Sequence, residues 1–168
     1  GSLLVGHSTT GTISSATYNT ALGIGAMDAI TQGDHNVAIG SNAATALTTG
    51  GTNIIVGSLA GNALTVGSDN IAIGYAALST EDGDGRNVAI GTLALSSQNT
   101  GADAYNVAIG YTAGTAITTG TYNTLVGGLA GDAVTTGNRN TTLGYNALST
   151  EDTGSRNVAI GVSALRLL

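Results

Sequence analysis

Carboxylate side chains cluster at two places in this chain, and such clusters suit a hard cation such as calcium. The first cluster is Glu81-Asp82-Gly83-Asp84 and the second is Glu151-Asp152. Neither follows the calcium-binding nonapeptide pattern, and an arginine follows each cluster, at Arg86 and Arg156. We therefore expect solvated turns with local ion pairing rather than a metal site.

Catalytic chemistry has little support in the sequence. The two histidines, His7 and His35, lack the nucleophile and carboxylate that a catalytic arrangement needs, and no phosphate-binding loop precedes a helix. The absence of cysteine excludes a disulfide framework and thiolate metal sites. We expect a protein that is not an enzyme and that has no cofactor.

Tyrosine and arginine recur instead at fixed places relative to a repeated asparagine. The residues directly before this asparagine are Tyr18, His35, Thr52, Asp69, Arg86, Tyr105, Tyr122, Arg139 and Arg156. A second set, directly after a repeated glycine, consists of Tyr75, Tyr111 and Tyr145.

Aromatic rings beside guanidinium groups can stack on sugar rings and hydrogen-bond to their hydroxyl or carboxylate groups. We therefore predict receptor binding along these positions. The candidate residues are Tyr105, Tyr122, Arg139 and Arg156, with Tyr111 and Tyr145 as neighbours. The alternative is that all of them are turn residues that pack on adjacent repeats.

The asparagine belongs to a repeat that extends through the whole chain. Copies are 17 residues apart, except for 19 residues between Asn87 and Asn106, and Ser2 with Gly6 fits a tenth copy. A fixed period of this length is typical of a solenoid. We predict one all-β repeat domain over 1–168, a parallel β-solenoid of about ten coils with about 17 residues per coil. Asn-Val-Ala-Ile-Gly begins at Asn36, Asn87, Asn106 and Asn157, and degenerate copies begin at Asn19, Asn53, Asn70, Asn123 and Asn140.

A longer repeat is superimposed on the coils. Residues 36–95 and 106–165 align without a gap, so the super-repeat covers 36–105 and 106–168. Such a duplication favours a fibre that was lengthened by copying blocks. Gly1-Ser2 is typical of a cloning remnant, so we expect the natural chain to continue in both directions.

Each coil begins with a strand whose side chains alternate between two faces. In the coil from Asn36, Val37 and Ile39 share one face and Ala38 points to the other. Glycine follows in every coil, where the chain must turn. Stacked asparagines are expected to hydrogen-bond between coils. A short second strand is predicted in about half of the coils, over 46–49, 63–66, 116–119 and 133–136.

The strand also suggests an interface. If Ile39 and its equivalents fill the interior, the alanine column faces outward as an apolar stripe that a soluble protein would cover. The candidate trimer-interface residues are then Ala38, Ala72, Ala89, Ala108 and Leu125. The opposite assignment of the faces remains open because both are apolar, and the alternative to a trimer is a monomeric roll.

The repeat resembles the head repeats of trimeric autotransporter adhesins of the Yersinia adhesin type. The resemblance is carried by the Asn-Val-Ala-Ile-Gly motif, the alanine that follows it and the Gly-x-x-Asn that returns to the next copy. They are equally similar to repeats of phage tail fibres and bacterial fibre proteins. The resemblance implies a left-handed parallel β-roll, three subunits about a common axis, and adhesion or receptor recognition without catalytic residues. The period here is longer than that of the adhesin repeat.

Composition narrows the partners. The net charge is −6, with four arginines and no lysine, so nucleic acid is not expected. No apolar run approaches the roughly 20 residues of a membrane helix, so membrane insertion by this segment is not expected.

Two other kinds of solenoid fit the repeat less well. Hexapeptide-repeat acyltransferases need three hexads per coil, and only one fits here. Ice binding stays an alternative, although adjacent threonines such as Thr48 and Thr49 would face opposite sides of a strand.

The sequence therefore predicts an adhesive segment of a homotrimeric, extracellular fibre on a bacterial cell surface or a virion. Its expected partner is a surface glycan or another cell-surface receptor. The alternative is a passive shaft that spaces a separate receptor-binding tip.

Overall fold

The computed structural model describes residues 1–6, 15–83, 85–150 and 153–166. In these ranges the chain forms ten parallel strands and no helix. His7, Asp84, Glu151 and Asp152 lie outside the described residues. The strands are Leu3–Val5 (β1), Thr20–Leu22 (β2), Val37–Ile39 (β3), Ile54–Val56 (β4), Ile71–Ile73 (β5), Val88–Ile90 (β6), Val107–Ile109 (β7), Thr124–Val126 (β8), Thr141–Leu143 (β9) and Val158–Ile160 (β10).

The ten strands form one sheet in which each strand pairs with the next strand along the chain. The pairing register follows the repeat, since Ala38 pairs with Ile55 and Ala89 pairs with Ala108 across the coil that has the insertion. The prediction of an all-β, parallel β-solenoid is confirmed, with about nine turns and roughly 17 residues between strands. The two extra residues lie between β6 and β7 and leave the register of the sheet unchanged.

The two faces of the strands are the reverse of the first expectation. The middle residue of each strand from β2 to β10 points into the solenoid and is at most 1% exposed. The proposed trimer-interface residues Ala38, Ala72, Ala89, Ala108 and Leu125 are therefore covered by their own chain, and their assignment to an outer surface is wrong. The reason is space, because the interior also holds an alanine after each turn and a side chain from the returning segment, most often Leu or Ile. Alanine fits between these groups in most coils, and the larger Ile55 and Leu125 pack against Gly61 and Gly131, whereas the branched side chains at the strand ends remain outside.

The returning segment of each coil is a series of turns, so the predicted second strands are wrong. The residues before it adopt left-handed backbone conformations, as at Asn42 (φ 55°) and Ala44 (φ 50°), and these turn the chain too sharply for a strand. Its backbone groups nevertheless pair between coils, as when the Thr48 amide donates to the Thr65 carbonyl at 2.8 Å. Leu47, Leu64 and Ile117 of these segments are fully buried in the core.

The predicted asparagine ladder is confirmed. From Asn36 to Asn157, each asparagine backbone amide donates to the side-chain oxygen of the preceding asparagine over 2.8 to 3.1 Å. Several of the side-chain amides also donate to a glycine carbonyl of their own coil, as Asn123 does to Gly137 at 2.9 Å. The ladder thus provides hydrogen-bond partners for buried backbone amides and carbonyls beside the ends of the strands, which would otherwise be unpaired.

Candidate functional site

The outer side of the sheet is a flat apolar surface. The first and third residues of every strand point outward, and seventeen of these twenty residues are Val, Ile or Leu, the others being Thr20, Thr124 and Thr141. Ile39 and Ile109 are each 38% exposed, even though both lie well inside the sheet. We call this surface, formed by the outward residues of β1 to β10, the apolar face.

One border of the apolar face carries the residues that directly precede each buried asparagine. We call the set Tyr18, His35, Thr52, Asp69, Arg86, Tyr105, Tyr122, Arg139 and Arg156 the tyrosine–arginine column. All nine adopt a left-handed conformation, with φ between 54° and 63°. Glycine or asparagine fits this conformation best, and neither occurs there. The backbone conformation therefore does not explain why this column carries tyrosine, arginine and other large side chains.

Four members of the column form a continuous stack. The rings of Tyr105 and Tyr122 are parallel within 5°, with centroids 5.3 Å apart. The Arg139 guanidinium carbon lies 5.4 Å from the Tyr122 centroid, and that of Arg86 lies 5.6 Å from the Tyr105 centroid. The predicted ridge of Tyr105, Tyr122 and Arg139 is thus a physical unit, and Arg156 is exposed in the next coil.

The same stacking changes what the ridge can offer a ligand. Tyr122 has Tyr105 on one face and Arg139 on the other, and Tyr105 lies between Arg86 and Tyr122. Their ring faces are therefore occupied, and the predicted stacking of sugars on these two tyrosines is not available. The phenol hydroxyls and guanidinium groups remain at the surface, so the ridge can act through hydrogen bonds and positive charge.

Positive charge is concentrated at the C-terminal end of the column. Three of the four arginines in the chain belong to it. Arg86 pairs with Asp69 at 3.8 Å and with Asp103, which lies in the coil that contains the insertion. Within the described ranges, these are the only contacts between an arginine and a carboxylate, so Arg139 and Arg156 keep exposed charges.

The N-terminal end of the column is chemically different. Tyr18 stacks on His35 with centroids 4.8 Å apart, and the Thr52 hydroxyl donates to Asp69 at 2.6 Å. Beside His35, Asp34 accepts hydrogen bonds from the backbone amide and hydroxyl of Thr17, and these lower the pKa of that carboxyl. This end of the column therefore carries aromatic rings but no arginine.

The other border of the apolar face carries Tyr75, Tyr111 and Tyr145, the second tyrosine column. Tyr111 follows β7 and Tyr105 precedes it, so the full width of the strand separates the two residues. The prediction that Tyr111 and Tyr145 neighbour the ridge is therefore wrong within one chain. These tyrosines are 53 to 61% exposed, and the two ring stacks of the described chain do not include them.

The expectation of a solvated turn is wrong for Glu81 of the first acidic cluster, whereas Asp82 is exposed. Glu81 is fully buried at the interior position that Leu64 occupies one coil earlier, and Gln98 occupies it one coil later. The repeat contained the signal, since Glu81 follows Asn70 by the same number of residues as Leu64 follows Asn53. Gln98 accepts a hydrogen bond from the Asn106 side chain at 2.6 Å. Among the described residues, no group of three or more acidic or histidine side chains forms a metal site.

These features define a parallel β-solenoid whose single sheet presents an apolar face between two tyrosine-bearing borders. No pocket is found in the part of the surface that the structure describes. No helix in the described ranges is long and apolar enough to cross a bilayer. Comparisons with protein-family profiles, curated proteins and solved structures find no match to this chain.

Proposed function

We propose that the chain is a segment of a homotrimeric extracellular fibre in which three copies cover one another's apolar faces. The observation that carries this proposal is the outward row of Val, Ile and Leu along ten strands. Nine strand spacings by three residues give a projected area of about 430 Å². This matches the roughly 300–600 Å² of the largest apolar patch on a typical monomer, and such a patch is often functional.

An arrangement of three copies about one axis suits the long, narrow shape of the apolar face. Each strand contributes two outward side chains, so three parallel copies enclose six aliphatic side chains at seven of the ten levels, and three aliphatic side chains with three threonines at the levels of β2, β8 and β9. Each copy uses its apolar face, and closed symmetry leaves none of the three apolar faces exposed. The resemblance of the repeat to trimeric adhesin heads favours the same number of subunits.

The trimer is tested by placing charge on the apolar face. Ile90→Asp with Ile109→Asp should yield a monomer of 16.3 kDa that retains its β-type circular dichroism, while the unaltered chain scatters light as three times that mass. Thr136→Asp, at an exposed site away from the face, is the control and should remain trimeric. A trimeric double variant, or a monomeric unaltered chain, would overturn the proposal.

The second part of the proposal is that the fibre attaches to an acidic surface glycan through the ridge from Tyr105 to Arg156. Two exposed arginines beside two tyrosine hydroxyls provide donors for carboxylate and hydroxyl groups. The chain as a whole is negative, so this local positive charge favours binding along one border only. The alternative function remains a passive shaft that spaces a separate tip.

Glycan binding is tested with immobilised polysialic acid, hyaluronan and alginate, and with dextran as a neutral reference. Replacing Tyr105, Tyr122 and Arg139 by Ala should weaken binding to an acidic polymer by about tenfold or more. The matched control is Tyr18→Ala with His35→Ala, which removes a stacked pair from the same column but no arginine. Equal losses in both variants, or no binding by the unaltered chain, would favour the passive shaft.

Ice binding has less support than attachment. The hydroxyls of Thr48 and Thr118 donate to the Thr65 and Thr135 carbonyls at 3.0 and 3.3 Å, so they are engaged between coils rather than directed at water. A thermal-hysteresis measurement on the purified chain would revive this alternative if it were positive.

A further inference from the structure

We propose that the glycan site is a groove shared by two subunits, with the tyrosine–arginine column of one copy facing the second tyrosine column of its neighbour. The inference rests on the proposed trimer and identifies where its ligand lies. Neither column is complete alone. The ridge has charge and hydrogen-bond donors but occupied ring faces, whereas Tyr111 and Tyr145 are exposed rings outside the two ring stacks of the described residues, with no arginine in their column.

Rotational symmetry brings the two columns together. Rotation about an axis parallel to the stack of coils keeps every strand at its level and keeps its direction. The border that precedes a strand in one copy then meets the border that follows the same strand in the next copy. At the level of β7, Tyr105 faces Tyr111 of the neighbouring copy, and at the level of β9, Arg139 faces Tyr145 of the neighbouring copy.

The size of the interface favours this contact. The apolar face alone provides a projected area of about 430 Å² per copy, whereas a stable interface buries about 800 Å² of accessible surface on each partner. Contacts from the side chains on both borders would add to the buried area, which places the columns at the three outer seams of the fibre.

The seam has a defined chemistry along its length. Tyr111 and Tyr145 lie two coils apart, which is about 10 Å, and Gly128 stands at the intermediate position. A Cβ at Gly128 would lie 3.5 Å from the Tyr145 ring, so this ring leans over Gly128, and the coil between Tyr111 and Tyr145 adds no side chain of its own to the seam. We assign to this groove an acidic polysaccharide that runs parallel to the fibre axis. Its rings contact Tyr111 and Tyr145, and its carboxylates contact Arg139 and Arg156.

Cysteine cross-linking tests the arrangement in a chain that has no cysteine of its own. Tyr105→Cys and Tyr111→Cys in one chain should give covalent trimers on a non-reducing gel. The two positions in the same copy flank the extended strand β7, which alone spans about 10 Å, so they are too far apart to form a disulfide within it. Tyr105→Cys with Tyr145→Cys is the control, because two coils of about 10 Å separate these levels and no cross-link is expected.

Binding completes the test. In trimers of unchanged mass, Tyr111→Ala with Tyr145→Ala should weaken binding to the acidic polysaccharide by about tenfold. Tyr75→Ala should have little effect, because it faces Asp69 of the neighbour rather than an arginine. A trimer that lacks the 105–111 cross-link, or that cross-links through Tyr105→Cys alone, refutes the shared groove but not the trimer. Unchanged binding by the Tyr111 and Tyr145 variant confines recognition to the ridge.

Discussion

Single glycines set how closely neighbouring coils approach. Gly110 has φ of +143°, and a Cβ at this position would lie 2.3 Å from the Gly127 carbonyl oxygen. Both the conformation and the contact exclude a side chain. Gly110→Ala should therefore lower the free energy of unfolding by about 3 kcal/mol or more.

The control for Gly110→Ala is Gly83→Ala, whose new Cβ would meet only the Val66 side chain at 3.5 Å. Urea denaturation followed by circular dichroism compares the two variants. Equal midpoints would contradict the role assigned to the glycine after each strand.

Two carboxylates should affect stability in opposite directions as the pH changes. Hydrogen bonds from the backbone amide and then the hydroxyl of Thr17 lower the pKa of Asp34. A folded-state pKa below the unfolded value of about 3.9 means that its contribution is present above that value and is lost as the pH falls through the folded pKa. Asp34→Asn should therefore melt lower than the unaltered chain at pH 7, and this difference should shrink at strongly acidic pH.

Asp132 is the opposite case, because burial raises the pKa of its carboxyl. Its stabilising contribution is present below the unfolded pKa and is lost as the pH rises through the folded pKa. Asp132→Asn should consequently raise the melting temperature at pH 7, by no more than the roughly 2–4 °C that 1 kcal/mol represents in a chain of this size. A gain that persists at acidic pH would contradict this cause.

At the scale of the element, the asparagine ladder predicts unequal costs for the same substitution. The Asn123 side chain accepts from the Asn140 amide and donates to the Gly137 carbonyl, each at 2.9 Å. The Asn87 side chain accepts from the Asn106 amide, but its nitrogen has no hydrogen-bond partner among the described residues. Asn123→Ala should cost about 1–3 kcal/mol more than Asn87→Ala, because it also leaves a buried carbonyl unsatisfied.

Chemical denaturation of the two asparagine variants measures this difference. Asn87 lies in the coil with the insertion, which changes the path of the returning segment. Equal losses of stability would show that the bond to the glycine carbonyl contributes nothing to the ladder.

At the scale of the whole molecule, the sheet fixes the length of the particle. Nine spacings between ten strands give an axis of about 43 Å for the stacked sheet. Small-angle scattering should give a similar axial length for the trimer and for the monomeric Ile90→Asp, Ile109→Asp variant, with a larger cross-section for the trimer. A particle twice as long would indicate end-to-end association instead.

The sequence alone determined the repeat, the parallel strands, their register and the asparagine ladder. Each of these follows from a residue type at a fixed spacing, so stacking identical units leaves one solution. Even the burial of Glu81 is contained in that spacing, although its charge suggested a surface turn. The ridge of Tyr105, Tyr122 and Arg139 followed from the same period.

Only the tertiary structure decided which face of the strand is inside. Val37, Ala38 and Ile39 are all apolar, so alternation could not separate the core from the surface. The decision came from volume, since the returning segment fills the interior with Leu47 and most of its equivalents, and alanine fits beside them in most coils. Likewise, only three-dimensional placement put Tyr105 and Tyr111 on opposite borders, because the extended strand β7 lies between two positions that look adjacent in the repeat.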